Sequence, residues 1–478
     1  ERDYGFVKSW SWHRQAEELA TITREQFVDG LLDQLREIDD PEQVKLKVMM
    51  MAPVEAGKFD GQWTGSCKLI LSGKVGDEGL SERVSKFNIR IDGISDETAD
   101  KPGWLLGADI FSSRLANVDR PMMQDMTAET GLDVDALFDT WDYEEGKARP
   151  YLTGGIYLAD YNQDGLMDAL VTDLNGLFLY QGLGAGQFKN VTVEVGLNPN
   201  FEVLGALFAD FDSDGFEDLI VGSYIYRNVK GQRFERIIFG RDTTLNLNPS
   251  AFKYAVADYD RDGHLDVYVV GLSKESDTQQ KWIGRNDMAE NQLWRNKGNW
   301  QFENVTETTG TKGGGSQTFA AVWFDANRDD WPDLMTSCEF GQNDYFLHNQ
   351  DGTFRPGIMP DGYGGFSLGI TVSDIDNDGF GDPYVANMYS KAGERILGNL
   401  RSDAYPPEID AQLRDFVKGN ELYHNRGDGQ FNRIGIDAGV ADAGWAYGTG
   451  FVDINCDGLP DMYSPTGYQS VTHSKPDG

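Results

Sequence analysis

Asp160-Tyr161-Asn162-Gln163-Asp164-Gly165-Leu166-Met167-Asp168 is a ladder of oxygen donors. The same grammar, D-x-[DN]-x-D-[GD]-x-x-D, returns at Asp210, Asp258, Asp325, Asp374 and Asp453, at spacings of 50, 48, 67, 49 and 79 residues. A hard cation such as Ca²⁺ takes about six to eight oxygens at roughly 2.3–2.6 Å, and a nine-residue loop can gather most of them locally. Side-chain oxygens are expected at positions 1, 3, 5 and 9, and a backbone carbonyl at position 7. The expected ligands of the first loop are therefore Asp160, Asn162, Asp164, Leu166 and Asp168, and those of the second Asp210, Asp212, Asp214, Phe216 and Asp218. The third has Asp258, Asp260, Asp262, His264 and Asp266, and the fourth Asp325, Asn327, Asp329, Trp331 and Asp333. The fifth has Asp374, Asp376, Asp378, Phe380 and Asp382, and the sixth Asp453, Asn455, Asp457, Leu459 and Asp461. About six Ca²⁺ ions are the expected cofactors.

Each ladder lies between two short apolar runs, as in Gly205-Ala-Leu-Phe-Ala before Asp210 and Asp218-Leu-Ile-Val-Gly after it. A third run carries a recurring aromatic and Asn, as in Ile225-Tyr226-Arg-Asn228 and Leu293-Trp294-Arg-Asn296; aligned on Asn, His348 and His424 take the same repeat position. A Gly-rich turn and a fourth run opening on Phe follow, at Phe188, Phe234, Phe302, Phe354 and Phe431. Four short strands per unit of about 50 residues describe one blade of a β-propeller. The fold class expected is all-β: six four-stranded blades with calcium loops, or seven if a metal-free blade lies in an insertion. The last ladder is followed by one further apolar stretch, so residues 110–118 and 123–131 are expected to complete the last blade and close the ring.

Residues 1–104 break the pattern. Leu19, Ile22, Phe27, Leu31, Leu32 and Leu35 recur at helical spacing across 15–38, and strand-like stretches follow at 44–51, 66–75 and 84–94. They read as a small α+β or β-sandwich-like accessory domain, with the propeller occupying 105–478. Insertions at 271–290 and 388–420, the second with a helical stretch at 408–418, are the expected places for recognition.

The net charge of −36 makes nucleic acid and anionic membrane surfaces poor partners. Twenty-one of the acidic side chains sit at ladder positions, so six Ca²⁺ ions would leave about −24. Cys67, Cys338 and Cys456 form no disulfide framework, and no apolar run approaches the ~20 residues of a transmembrane helix. Loops of the affinity typical of extracellular modules, about 10⁻⁴–10⁻³ M, stay filled only where calcium is abundant, so an extracellular, cell-surface or periplasmic location is expected. Asn190-Val-Thr192 and Asn304-Val-Thr306 match the glycosylation pattern but belong to the repeat's own signature.

The blade grammar resembles the integrin-type FG-GAP and VCBS repeats. The stretches 386–396, 420–431 and Gly444-Trp-Ala-Tyr-Gly-Thr-Gly-Phe-Val-Asp-Ile-Asn-Cys-Asp-Gly-Leu-Pro-Asp461 are similar to the ASPIC/UnbV group, which includes cartilage acidic protein relatives. The resemblance covers about residues 105–470 and implies a calcium-binding propeller used for adhesion or assembly. Two departures stand out: Asp330 replaces the Gly of the fourth loop, and no segment resembling that group's C-terminal part follows Asp461. The function expected is a non-enzymatic adhesion, binding or assembly scaffold for a protein or carbohydrate partner. The alternatives are a carbohydrate-active lyase, dehydratase or hydrolase using the propeller face, and a structural subunit of a larger surface complex or filament.

Overall fold

The computed structural model describes residues 2–3, 7–13, 24–36, 38–55, 58, 60–76, 79–93, 105–120, 123–139, 154–200, 205–247, 253–270, 291–313, 317–341, 343–360, 365–387, 397 and 405–465. The insertion at 271–290 and most of 388–404 lie outside them. The chain divides into two compact units, the first of Glu1–Asp125 with Lys391–Ala404 and the second of Met126–Ser390 with Tyr405–Gly478.

The first unit is one antiparallel sheet of β1 (Arg2–Asp3), β2 (Val7–His13), β3 (Asp40–Pro53), β4 (Trp63–Val75), β5 (Gly79–Ile91) and β6 (Leu105–Val118), in the order β1-β2-β6-β5-β4-β3. Helix α1 (Arg24–Arg36) lies on the face that carries Cys67, Leu69, Leu71 and Phe87, with Phe27 edge-on to Phe87 at 6.2 Å. This is the α+β alternative of the two sequence expectations. One expectation is overturned. Residues 110–118 complete no blade, because β6 pairs along its length with β5 (Ile110 opposite Phe87, Leu115 opposite Arg83) and with β2 (Leu115 opposite Trp10). The fourteen-residue β6 satisfies its backbone groups on the thirteen-residue β5 along its length and on the seven-residue β2 from Ser112 to Val118, so residues 110–118 have partners in this sheet.

The second unit repeats one motif. Met126 leads into a helical turn, α2 (Thr127–Thr130), rather than a strand, and Gly131 ends it at φ 81°. A Cβ on Gly131 would come within 2.6 Å of the Phe188 carbonyl, so close docking demands Gly there. Four-stranded antiparallel meanders follow. The first contains β7 (Gly154–Ala159), β8 (Asp168–Asp173), β9 (Gly176–Gly184) and β10 (Gln187–Asn190); the second β11 (Ala206–Ala209), β12 (Asp218–Val221), β13 (Tyr224–Asn228) and β14 (Phe234–Ile237). The third contains β15 (Lys253–Ala257), β16 (Asp266–Val270), β17 (Gln292–Asn296) and β18 (Phe302–Asn304), and is followed by the turn α3 (Thr306–Thr309). The fourth contains β19 (Gln317–Phe324), β20 (Asp333–Gly341), β21 (Tyr345–His348) and β22 (Phe354–Pro356). The fifth contains β23 (Gly365–Ser373), β24 (Asp382–Asn387), β25 (Glu421–Asn425) and β26 (Phe431–Arg433), with α4 (Pro407–Phe416) between its second and third strands. The hairpin β27 (Gly450–Val452) and β28 (Asp461–Tyr463) ends the described chain. The ends of β20 and β23 pair, Glu339 with Phe366, and link the fourth and fifth meanders into one sheet.

Among the described residues, each core cluster of the second unit is shared by two meanders. Leu170, Leu179 and Val191 of the first pack with Leu219, Tyr226 and Phe234 of the second, and the same sharing recurs between the second and third, third and fourth, and fourth and fifth. Apolar burial is therefore realised only by neighbours, the energetic signature of a repeat array. First strands of successive meanders pack side by side, β7 on β11 through to β23 on β27. Lys253 Nζ at the start of β15 lies 3.5 Å from the Leu368 carbonyl in β23, so the row curves enough for the third and fifth first strands to meet.

Candidate metal-binding loops

Every ladder forms the turn between the first and second strands of its meander or hairpin. All six backbones are alike. Position 4 is left-handed in each, at Gln163, Ser213, Arg261, Arg328, Asn377 and Cys456, with φ of 57–60°. Position 6 is left-handed too, as Gly at φ 84–93° in five loops and as Asp330 at φ 67° in the fourth. Asp330 keeps the turn: its N–H donates to Asp325 Oδ2 at 2.8 Å, as the Gly165 N–H does to Asp160 Oδ2 at 2.9 Å.

The position-1 carboxylate accepts from the amides of positions 5 and 6, as Asp210 does from Asp214 and Gly215 at 3.1 and 2.9 Å. Position 5 accepts from the amide of position 7, so Leu166, Phe216, His264, Trp331, Phe380 and Leu459 each donate an N–H to the position-5 acid of their loop. The position-9 carboxylate accepts from the amide of position 2 in all six loops; in the first five it is also buried and accepts from an amide of the third strand. For Asp266 these donors are Tyr259 and Asn296, at 3.1 and 2.7 Å. Burial, with neighbouring carboxylates adding to it, pushes Asp168 up to about 6, Asp218 and Asp333 to about 7 and Asp266 to about 8. Asp382 moves in the same direction for the same first cause.

These acids converge. Carboxylate oxygens of Asp210, Asp212 and Asp218 lie within 4.8 Å of one another, as do those of Asp258, Asp260 and Asp262 and those of Asp374, Asp376 and Asp382. Two oxygens on opposite sides of one Ca²⁺ are separated by about that distance. Asp212 Oδ1 is buried within its cluster and has no hydrogen-bond partner, an arrangement that costs energy unless a cation supplies the missing contact. The donor set is all oxygen, so the residues fit a hard divalent ion.

Position 2, which the ladder pattern leaves free, ties one meander to the next. Tyr161, Phe211 and Tyr259 pack against Phe234, Phe302 and Phe354 of the following meander at 5.7, 6.1 and 6.0 Å. The carbonyls of Tyr161, Phe211 and Ala326 accept from Asn228, Asn296 and Asn425 Nδ2 at 2.8–2.9 Å. A signal was present in the sequence: position 2 is Tyr, Phe, Tyr, Ala, Ile, Ile, whereas position 4 is Gln, Ser, Arg, Arg, Asn, Cys. Loops also touch along one edge of the row. Gln163 Nε2 donates to the Gly215 carbonyl, Asn377 Nδ2 to the Gly458 carbonyl at 3.0 Å, and the Arg328 guanidinium lies over Phe380 at 4.6 Å.

The histidines are not equivalent. The His348 amide donates to Asp333 Oδ1 at 2.7 Å, the contact that Asn228, Asn296 and Asn425 make in their meanders. His348 thus replaces the Asn, stacked on Trp331 at 4.6 Å and buried, while His424 takes the place of Arg227 and Arg295. Thr192 and Thr306, within the two glycosylation-like triplets, accept the Leu179 and Leu293 amides and donate to Asn190 and Asn304. That accounts for the F-x-N-V-T signature by strand pairing.

An FG-GAP-like repeat matches residues 160–221. No curated protein matches the chain. Among solved structures, an Agrocybe aegerita lectin, described for specific recognition of non-reducing terminal N-acetylglucosamine, aligns at 14% identity and a TM-score of 0.35 over 83% of this chain and 79% of its own. BBS1N, solved in complex with ARL6DN, aligns at 9% identity and a TM-score of 0.34 over 66% and 90%. The V. cholerae biofilm matrix protein Bap1 aligns at 11% identity and a TM-score of 0.23 over 89% and 81%.

Proposed function

We propose that this chain is an extracytoplasmic, calcium-stabilised β-propeller that serves as a non-enzymatic scaffold for a protein or carbohydrate partner. The observation that carries the reading is the orphaned, buried Asp212 Oδ1 inside a cluster of converging carboxylates, in a loop whose backbone is repeated six times. The FG-GAP-like repeat at 160–221 supports an interaction scaffold. Among the described residues no helix is long and apolar enough to cross a membrane. In this reading Ca²⁺ occupies the six loops and offsets two of the three or four carboxylate charges in each, and each filled loop fixes one strand pair and one contact to the next meander.

A ligand that binds only the folded state stabilises it by about 2.7 kcal/mol per site at a hundredfold excess over Kd. Treatment with EDTA should therefore lower the melting temperature substantially, and added Ca²⁺ should restore it. A melting curve indifferent to both would overturn the reading.

A further inference from the structure

The six loops solve one electrostatic problem in two ways. In the first, fourth and sixth loops position 3 is Asn, and its amide donates to the outer oxygen of the position-5 acid: Asn162 to Asp164 Oδ2 at 2.9 Å, Asn327 to Asp329 at 3.2 Å and Asn455 to Asp457 at 3.0 Å. Gln181 and Gln350 add a second neutral donor to the first two of these oxygens. In the second and third loops position 3 is Asp, and a guanidinium from the third strand spans positions 3 and 5. Arg227 Nε lies 2.7 Å from Asp212 Oδ2 and its Nη2 donates to Asp214 Oδ2 at 3.1 Å; Arg295 holds Asp260 and Asp262 at 2.6 and 3.0 Å. Gln181, Arg227, Arg295 and His424 occupy the same register, each immediately before the residue whose amide caps the position-9 acid. The fourth acid thus coincides with a basic third-strand residue, and three acids with a neutral amide.

We propose that Arg227 and Arg295 set the charge of the second and third cation sites: each guanidinium takes the outer oxygens of two carboxylates and cancels the extra acid. The inference rests on the cation reading above. A divalent ion then meets three net negative charges in these loops, as in the first and sixth, and the row of sites fills over one range of concentration. The planar fork of Arg spans two carboxylates where a single ammonium cannot, and its charge a few ångströms from the site opposes a cation there.

The experiment uses the full chain and terbium, an oxygen-seeking ion whose luminescence is sensitised by a nearby indole. Trp300 Nε1 donates to Asp212 Oδ2 at 3.3 Å, so the signal lost in Trp300→Phe reports the second loop. Calcium competition against that signal gives its affinity. Removing one positive charge a few ångströms from the ion should tighten binding about tenfold in Arg227→Gln. Asp212→Asn should weaken it, and the double variant, which reproduces the amide arrangement of the first loop, should return within about threefold of the starting protein. If Arg227→Gln alone fails to fold, the step from Asp212→Asn to the double variant must still tighten binding about tenfold. Affinity unchanged or weakened by loss of Arg227 overturns this assignment and leaves calcium binding standing; a starting protein with no Trp300-dependent signal removes both.

Discussion

Asp266 has both carboxylate oxygens committed to backbone amides, one in its own loop and one in the third strand, and it is fully buried. A carboxylate can accept both; an amide would turn a donor toward one of them. Asp266→Asn should therefore cost about 2–3 kcal/mol, read as a shift in the denaturation midpoint, because a buried donor is left unmatched. A variant that unfolds like the parent would show that position 9 is not the hinge of the turn. At this scale the sequence was most legible. Ladder positions are defined by oxygen chemistry and local spacing, and even Asp330 keeps the left-handed conformation that Gly adopts elsewhere, since Asp tolerates it better than most residues do. Less legible was the double use of position 9, because one of its two donors comes from a distant strand.

Between elements, the Asn at the end of the third strand carries the connection in the second, third and fifth meanders. Asn228 Nδ2 bonds the carbonyls of Tyr161 and Glu217, and its Oδ1 accepts the Gly231 amide, so one buried side chain ties two meanders and a hairpin turn. Asn228→Ala should lower stability by about 2–4 kcal/mol, since several buried backbone groups lose their partner at once. Chemical denaturation would also show lowered cooperativity if the first meander then melts separately. The fourth meander replaces this Asn with His348, whose Nε2 is buried without a partner, and its junction with the third relies on the rings of Tyr259, Trp331 and Phe354 instead. Sequence spacing aligned His348 with His424 because an Asn follows each. Pairing decides otherwise: Leu334 opposes Phe346 as Leu219 opposes Tyr226. Register is a property of two strands together, and for the same reason the membership of β6 in the N-terminal sheet could not be read from its own residues.

Across the whole second unit, the curving row of first strands brings Lys253 to Leu368. Burial of the ammonium end pulls the Lys253 pKa down to about 8, against 10.5 for the free side chain. Below pH 8 the folded and unfolded forms both hold the proton, and the desolvation cost is constant. Between about 8 and 10.5 the unfolded chain holds more protons than the folded one, so stability rises with pH, by at most about 1.4 kcal/mol per pH unit from this group. Lys253→Met should be the more stable protein at pH 7, and its advantage should shrink as pH approaches 10; a pH-independent difference in unfolding free energy would place the ammonium in water. The composition indicated a core of adequate size, but not that every cluster is shared between neighbours.

The repeated turn also bears on how the molecule ages. Five ladders contain an Asp-Gly pair at positions 5 and 6: Asp164-Gly165, Asp214-Gly215, Asp262-Gly263, Asp378-Gly379 and Asp457-Gly458. In a flexible chain such pairs isomerise to isoaspartate when the glycine nitrogen attacks the aspartate side chain through a cyclic imide. Here each glycine N–H is held on the position-1 carboxylate at 2.8–2.9 Å, and each aspartate Oδ1 is held by the position-7 amide. The turn engages nucleophile and electrophile in separate hydrogen bonds, so its integrity bears on the chemical lifetime of five backbone links at once. The fourth loop, with Asp329-Asp330, stands outside this liability.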